Sequence, residues 1–170
     1  MPRPQDATEQ KSCYSGKKRR HTLKNVLLIN TVVQILFLSE TCGGSRHDKR
    51  MVDETRYPLP QGSELLQDLG FLGFTLEGVN VQTPTRKPRG GELTAEQKVA
   101  NQALASRRVP IEHVNSSVKR LRILKEPCRL FKEGVRDMVM VIGCALHNFR
   151  ARITPTWQPL KSGAETCKSE

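Results

Sequence analysis

The run His21-Thr22-Leu23-Lys24-Asn25-Val26-Leu27-Leu28-Ile29-Asn30 and, a few residues on, Gln34-Ile35-Leu36-Phe37-Leu38-Ser39 decide the fold. Both are short, apolar and bounded by polar residues, which predicts strands. The connection around Asn30-Thr31 is short, so the two runs are expected to pair as a hairpin. The link holds no glycine, which leaves the turn type open.

Gly43-Gly44-Ser45 breaks the strand pattern, and His47 to Glu54 reads as a short helix that stops before Tyr57-Pro58. Glu64 to Phe74 reads as a short buried strand running into a glycine-containing loop. Val79 and Val81 mark another strand, halted at Pro84, and Thr83 to Gly91 is a basic loop. After this the period becomes helical. Thr94 with Gln97 forms a capping-box pattern and predicts a helix to about Ser106. A second helix is expected over Ile111 to Leu124, with Ile111, Val114, Val118 and Leu121 on one apolar face, and a third over Val135 to Phe149. Residues 1–20 show no periodicity and read as an extended lead-in; residues 153–170 read as a polar tail. Strands followed by helices predict an α/β domain with a mixed sheet over residues 1–152.

Composition narrows the partners. Lys and Arg number 28 against 17 Asp and Glu, a formal charge of +11, which favours a polyanion. Aromatic residues make up 5% of the chain, too few for a base-stacking platform. The longest apolar stretch, Val26 to Leu38, is interrupted by Asn30, Thr31 and Gln34 and falls short of the roughly 20 residues that span a bilayer. The first six residues lack an apolar signal core. A soluble, cytoplasmic, nucleoid-associated protein without a membrane partner is therefore expected. The five cysteines form no CxxC pair, and none stands at zinc-finger spacing from a histidine, which argues against a disulfide framework or a zinc knuckle.

Candidate chemistry lies in carboxylates among basic residues. Asp68 stands where a strand ends and a glycine loop begins, the usual place for ligands in α/β sheets. Asp48 follows the second strand through a glycine loop. Glu112 opens the second predicted helix, with Asn115, Ser116, Lys119 and Arg122 expected on its face. Three carboxylates with nearby Lys and Arg suit a Mg²⁺ or Mn²⁺ site that handles phosphodiesters.

Four short motifs carry a family resemblance. Gly44-Ser45-Arg46-His47-Asp48 resembles the Gly-Ser-x-His-Asp motif of Harbinger-like and insertion-sequence-5-type transposases, and Asp68-Leu69-Gly70-Phe71 resembles their Asp-x-Gly-Tyr/Phe motif. Arg108, Glu112 and Lys119 match the spacing of the Arg–Glu–Lys part of the Tyr-Arg-Glu-Lys signature, with Ala105 in place of the Tyr. Tyr14-Ser15-Gly16-Lys17-Lys18 with His21-Thr22-Leu23-Lys24 resembles the strand-two segment of the same family. The motifs occur in the family's order.

The resemblance implies an RNase H-like mixed sheet with flanking helices and a DDE triad of carboxylates that binds divalent metal. Asp68 matches the second carboxylate, Glu112 the third, and Asp48 a further acidic metal ligand. Arg108 and Lys119, with Lys17, Lys18, Arg120 and Arg122, are expected to contact double-stranded DNA, both transposon ends and target. The first Asp of the triad belongs on a central first strand that precedes the segment resembling Arg3-Pro4. The chain is thus expected to correspond to the C-terminal part of the catalytic domain, partnered by an N-terminal transposase half or by further copies of itself. Alone it is expected to cleave little. The competing expectation is an inactive or domesticated remnant that binds nucleic acid without chemistry.

Overall fold

The apolar runs on either side of Asn30 pair as the sequence predicts. The computed structural model describes residues 3–125 and 134–153. Within it, β3 (Leu23–Lys24) and β4 (Leu27–Ile29) run antiparallel to β6 (Cys42–Gly43) and β5 (Ile35–Leu38). The two ladders form one ribbon with a break at residues 25–26 and 39–41. Side chains satisfy the break: Ser39 Oγ accepts from Val26 N at 2.8 Å, and Asn25 Nδ2 donates to Ser39 O at 3.0 Å. The turn is built on Asn30, whose Oδ1 accepts from Val32 N and Gln34 N at 3.2 and 2.8 Å. Val33 sits there at φ 58°, a conformation that a β-branched residue rarely adopts. Its carbonyl is held by His147 Nε2 at 2.8 Å.

Residues 3–20 depart from the predicted lead-in. Asp6 caps a helix, α1 (Ala7–Cys13), by accepting from Glu9 N at 2.7 Å, and β1 (Tyr14–Ser15) then pairs with β2 (Arg20–His21). A seven-residue helix is too short to show an apolar stripe, so periodicity is silent on it. Gly43 and Gly44 explain why α1 can dock: a Cβ on Gly43 would collide with Ser12 O, and one on Gly44 with Thr22. Ser45 seals the junction by donating its hydroxyl to Ser12 O at 2.6 Å.

Beyond the ribbon, α2 (Asp48–Asp53) is capped by His47. The strand β7 (Glu64–Leu66) pairs in parallel with β8 (Asn80–Gln82), and a 3₁₀ turn, Leu69–Phe71, follows Asp68. The expected single mixed sheet is replaced, among the described residues, by four two-stranded ladders, three antiparallel and one parallel.

The largest difference lies in the helices. The Thr94 capping box forms, but the helix it opens does not end at Ser106: α3 runs unbroken over Ala95–Val118 through Pro110. A proline inside a helix costs ~3 kcal/mol through its missing donor and ring clash. Here Pro110, Val114 and Val118 are all buried, so burial on the far side of the proline offsets that cost. The helix ends at Val118; α4 (Arg122–Lys125) is separate, and α5 spans Val135–Ile153. Ile35, Val114, Val118 and Cys144 form the core, flanked by Leu27, Ile29, Val33, Leu38 and Leu124. Asn148 fastens α5 to the ribbon by accepting from Ile35 N at 2.8 Å and donating to Ile35 O at 2.9 Å. Gly143 lets α4 approach, since a Cβ there would lie 2.6 Å from Leu124 Cδ1.

Candidate active site

The motif glycines and caps aim the two aspartates at one another's segments. His47 accepts from Lys49 N and so opens α2, which starts at Asp48. A Cβ built on Gly70 would lie 3.2 Å from Asp48 Oδ2, so the carboxylate rests against the 3₁₀ turn that Asp68 caps. A side chain at position 70 would press on that carboxylate. Asp48 Oδ1 accepts from Lys24 Nζ at 2.9 Å, and the same ammonium donates to Arg46 O at 3.0 Å. Asp68 Oδ1 accepts from its own turn at Leu69 N, 2.7 Å, and lies 3.3 Å from Arg108 Nη2.

Arg108 ties this pair to α3. Arg108, Glu112, Asn115 and Lys119 recur at intervals of four, three and four residues, one stripe of a helix. Arg108 reaches Asp68, while Asn115 and Lys119 line a cleft of about 560 Å³ that Asp48 and Asp68 also line. Glu112 stands on the stripe between them, exposed. Lys119 caps the end of α3. The cleft carries five cationic side chains, Lys17, Lys18, Lys24, Lys119 and Arg136, against two carboxylates, Asp48 and Asp68. Lys17 and Lys18 reach it from the tight β1–β2 connection. Its other wall is apolar, with Leu23, Val26, Leu27, Val118, Leu124 and Val139.

The face expected for Glu112 therefore needs correction in part. Asn115 and Lys119 share its stripe, but Arg122 does not, because α3 ends at Val118 and Arg122 begins α4. Arg120 lies in the intervening turn, exposed. Among the described residues no three His, Cys, Asp or Glu side chains are gathered closely enough to hold a metal ion. Asp48 and Asp68 are brought to one cleft, but each is met by a cation, and Glu112, exposed on α3, is not among the residues that line it. The donor chemistry still suits a hard divalent cation, since all three groups offer carboxylate oxygen. Asp48 Oδ2 in particular lies over a glycine, the residue that leaves the most room beside it.

Two participants escape sequence reading. Lys24 lies 24 positions from the carboxylate it holds, so no local spacing could link them. Arg136 stands out in the sequence only as one basic residue among many in the helical half. A further pair braces the site. Arg107 grips Glu64 with two bonds of 3.1 and 2.5 Å, fixing α3 to β7 just ahead of Asp68. Those bonds hold the Glu64 carboxyl below its ordinary range and raise Arg107. No helix among the described residues is long and apolar enough to cross a membrane.

Comparison with known proteins converges on one chemistry. The family model described as DDE superfamily endonuclease matches residues 1–148. A probable transposase for insertion sequence element IS702 from Microchaete diplosiphon is 32% identical over 120 residues, which cover 71% of this chain. The match spans 44% of that relative's length. No solved structure gives a significant match.

Proposed function

Because the chain belongs to the DDE superfamily endonuclease family, we propose that it furnishes the second and third carboxylates, and the phosphate-holding lysines, of a transposase catalytic centre. On this reading the fold is RNase H-like and the subfamily is that of the Harbinger-like and insertion-sequence-5-type elements. The observation that carries the proposal is that Asp48, Asp68, Asn115 and Lys119 line one basic cleft, with Arg108 of the same helix stripe paired to Asp68.

Each side chain has a definite task. Asp48, Asp68 and Glu112 would hold Mg²⁺ or Mn²⁺, which when bound activates the attacking oxygen and stabilises the leaving oxygen of a phosphodiester. Lys24 orients Asp48 through its ammonium, and Arg108 orients Asp68. Lys17, Lys18 and Lys119 neutralise the phosphates of a duplex end, with Arg120 and Arg122 on the adjoining surface. Substrates are then transposon ends and target DNA.

The strand edges suggest how the centre is completed. Among the described residues β4 pairs with β5 alone, and β7 with β8 alone. The outer side of β5 at Ile35 is covered by Asn148, whereas the residues of β3 and β4 border the cleft. A strand from outside these 170 residues, carrying the first carboxylate, would satisfy the open backbone groups there. An N-terminal transposase half is the proposed donor.

The test is to supply the corresponding upstream region of a related transposase, fused or in trans, and to assay strand cleavage of duplex DNA with and without Mg²⁺. Cleavage that requires both the added region and Mg²⁺, and that Glu112→Gln abolishes, is expected. Cleavage untouched by Glu112→Gln overturns the assignment. A second reading is favoured by the ion pairs themselves. With Asp48 on Lys24 and Asp68 on Arg108, the cleft serves as a preformed polyanion site. That reading, a remnant that binds without cutting, predicts salt-dependent duplex binding and no cleavage in any combination.

A further inference from the structure

The helix α5 has a face that stays exposed among the described residues. Met138, Val141, Ile142, Leu146, Phe149 and Ile153 all rank among its exposed large apolar residues, with Met138 at 60%, Phe149 at 64% and Ile153 at 64% exposure. No Asp, Glu, Lys or Arg occurs between Asp137 and Arg150. In a chain of charge +11 this is anomalous; the exposed side of α3 by contrast carries Glu96, Lys98, Gln102 and Arg107. The six side chains present on the order of 600 Å² of apolar surface, the upper end of what a monomer exposes and close to the ~800 Å² that each partner buries in a standard interface.

The pattern of the stripe says what covers it. Ile142 lies three residues before Ala145 and Phe149 three residues after Leu146; Met138 lies seven before Ala145 and Ile153 seven after Leu146. Apart from Val141, whose counterpart is Arg150, the face is therefore symmetric about the Ala145–Leu146 midpoint. A two-fold, antiparallel partner helix of the same sequence would set Met138 against Ile153 and Ile142 against Phe149, an isologous contact. Ala145 is exposed at the centre, and its small side chain allows the two helix axes to approach closely.

We infer that the exposed face of α5 is a self-association surface occupied by α5 of a second copy of this chain. The contact lies apart from the cleft residues Asp48, Asp68 and Lys119, so it pairs two sites without closing either. Sedimentation equilibrium of the full 170-residue chain tests it. The expected species is a dimer of twice 19.2 kDa. Ile142→Glu and Phe149→Glu, both at exposed positions, should weaken it by about tenfold or more while leaving the far-UV circular dichroism unchanged. Disulfide trapping gives the geometry. Ala145→Cys should cross-link to its own copy, whereas Met138→Cys should not, because in an antiparallel pair it faces residue 153, about 22 Å along the axis at ~1.5 Å per residue. A chain that stays monomeric at about 100 µM, a dimer whose mass the Glu variants leave unchanged, or equal cross-linking at positions 138 and 145 overturns the inference.

Discussion

The two sides of the ribbon are held by different physics. Toward α5 and the buried end of α3, Val114 is fully buried at 0% exposure and packs with Ile35, Val118 and Cys144. Toward α2 and the 3₁₀ turn, Met51, Val52 and Phe74 are also buried, but the carboxylates themselves are held by ion pairs between partly exposed groups; the Asp68 side chain is 57% exposed and that of Arg108 23%. Apolar burial is worth kilocalories per side chain, whereas exposed ion pairs contribute about 0–1 kcal/mol each. Apolar burial fixes the fold; the ion pairs on the second side can exchange partners at little cost in stability. A site that must release Lys24 and Arg108 contacts to take a cation or a phosphate belongs on the second side.

Breaking the apolar side should give the largest effect. Val114→Ala removes two methyl groups from a fully buried position and should lower stability by about 2 kcal/mol. Urea denaturation should show a lower midpoint with an unchanged slope. The cleft side should respond in binding instead. Lys119→Ala should weaken duplex DNA binding by about fivefold, ~1 kcal/mol, and reduce the salt slope by about one, with urea stability near that of the parent chain. Lys98→Ala, on the exposed first half of α3 and away from the cleft, should leave the salt slope unchanged.

The smallest effect is on pH. Glu64 is held below its ordinary carboxylate range by the Arg107 bonds. A carboxylate with a depressed folded-state pKa adds stability above its unfolded pKa, and that stability is lost as pH falls through the folded value. Arg107→Ala should return the Glu64 titration, followed by NMR, toward the ordinary carboxylate position. Because the pair is solvent-exposed, the acid limb of the stability curve should move only slightly.

These contrasts track what could be read in the sequence. The ribbon, the Thr94 capping box and α5 were legible because apolar periodicity and cap chemistry are local signals. The joining of two predicted helices through Pro110 was not, since a local rule stops a helix there while tertiary burial of Val114 and Val118 carries it on. The left-handed Val33 was equally hidden, being held by His147 from more than a hundred residues away. At the site, Asp48, Asp68 and Glu112 were visible as motif carboxylates. Their surroundings were not, because the Lys24–Asp48 contact exists only once α2 has folded back on the ribbon, and Arg136, which reaches Glu9 at 3.4 Å, lines the cleft only once α5 has docked.

The central claim, that these carboxylates serve one cation at a phosphate-binding cleft, is tested most directly by titrating the chain with Mn²⁺ and following the free ion by electron paramagnetic resonance. Saturable binding is expected, weakened by about tenfold or more in Asp48→Asn, in Asp68→Asn and in Glu112→Gln, with far-UV circular dichroism unchanged. Mn²⁺ binding of equal strength in the parent chain and all three variants would contradict the account.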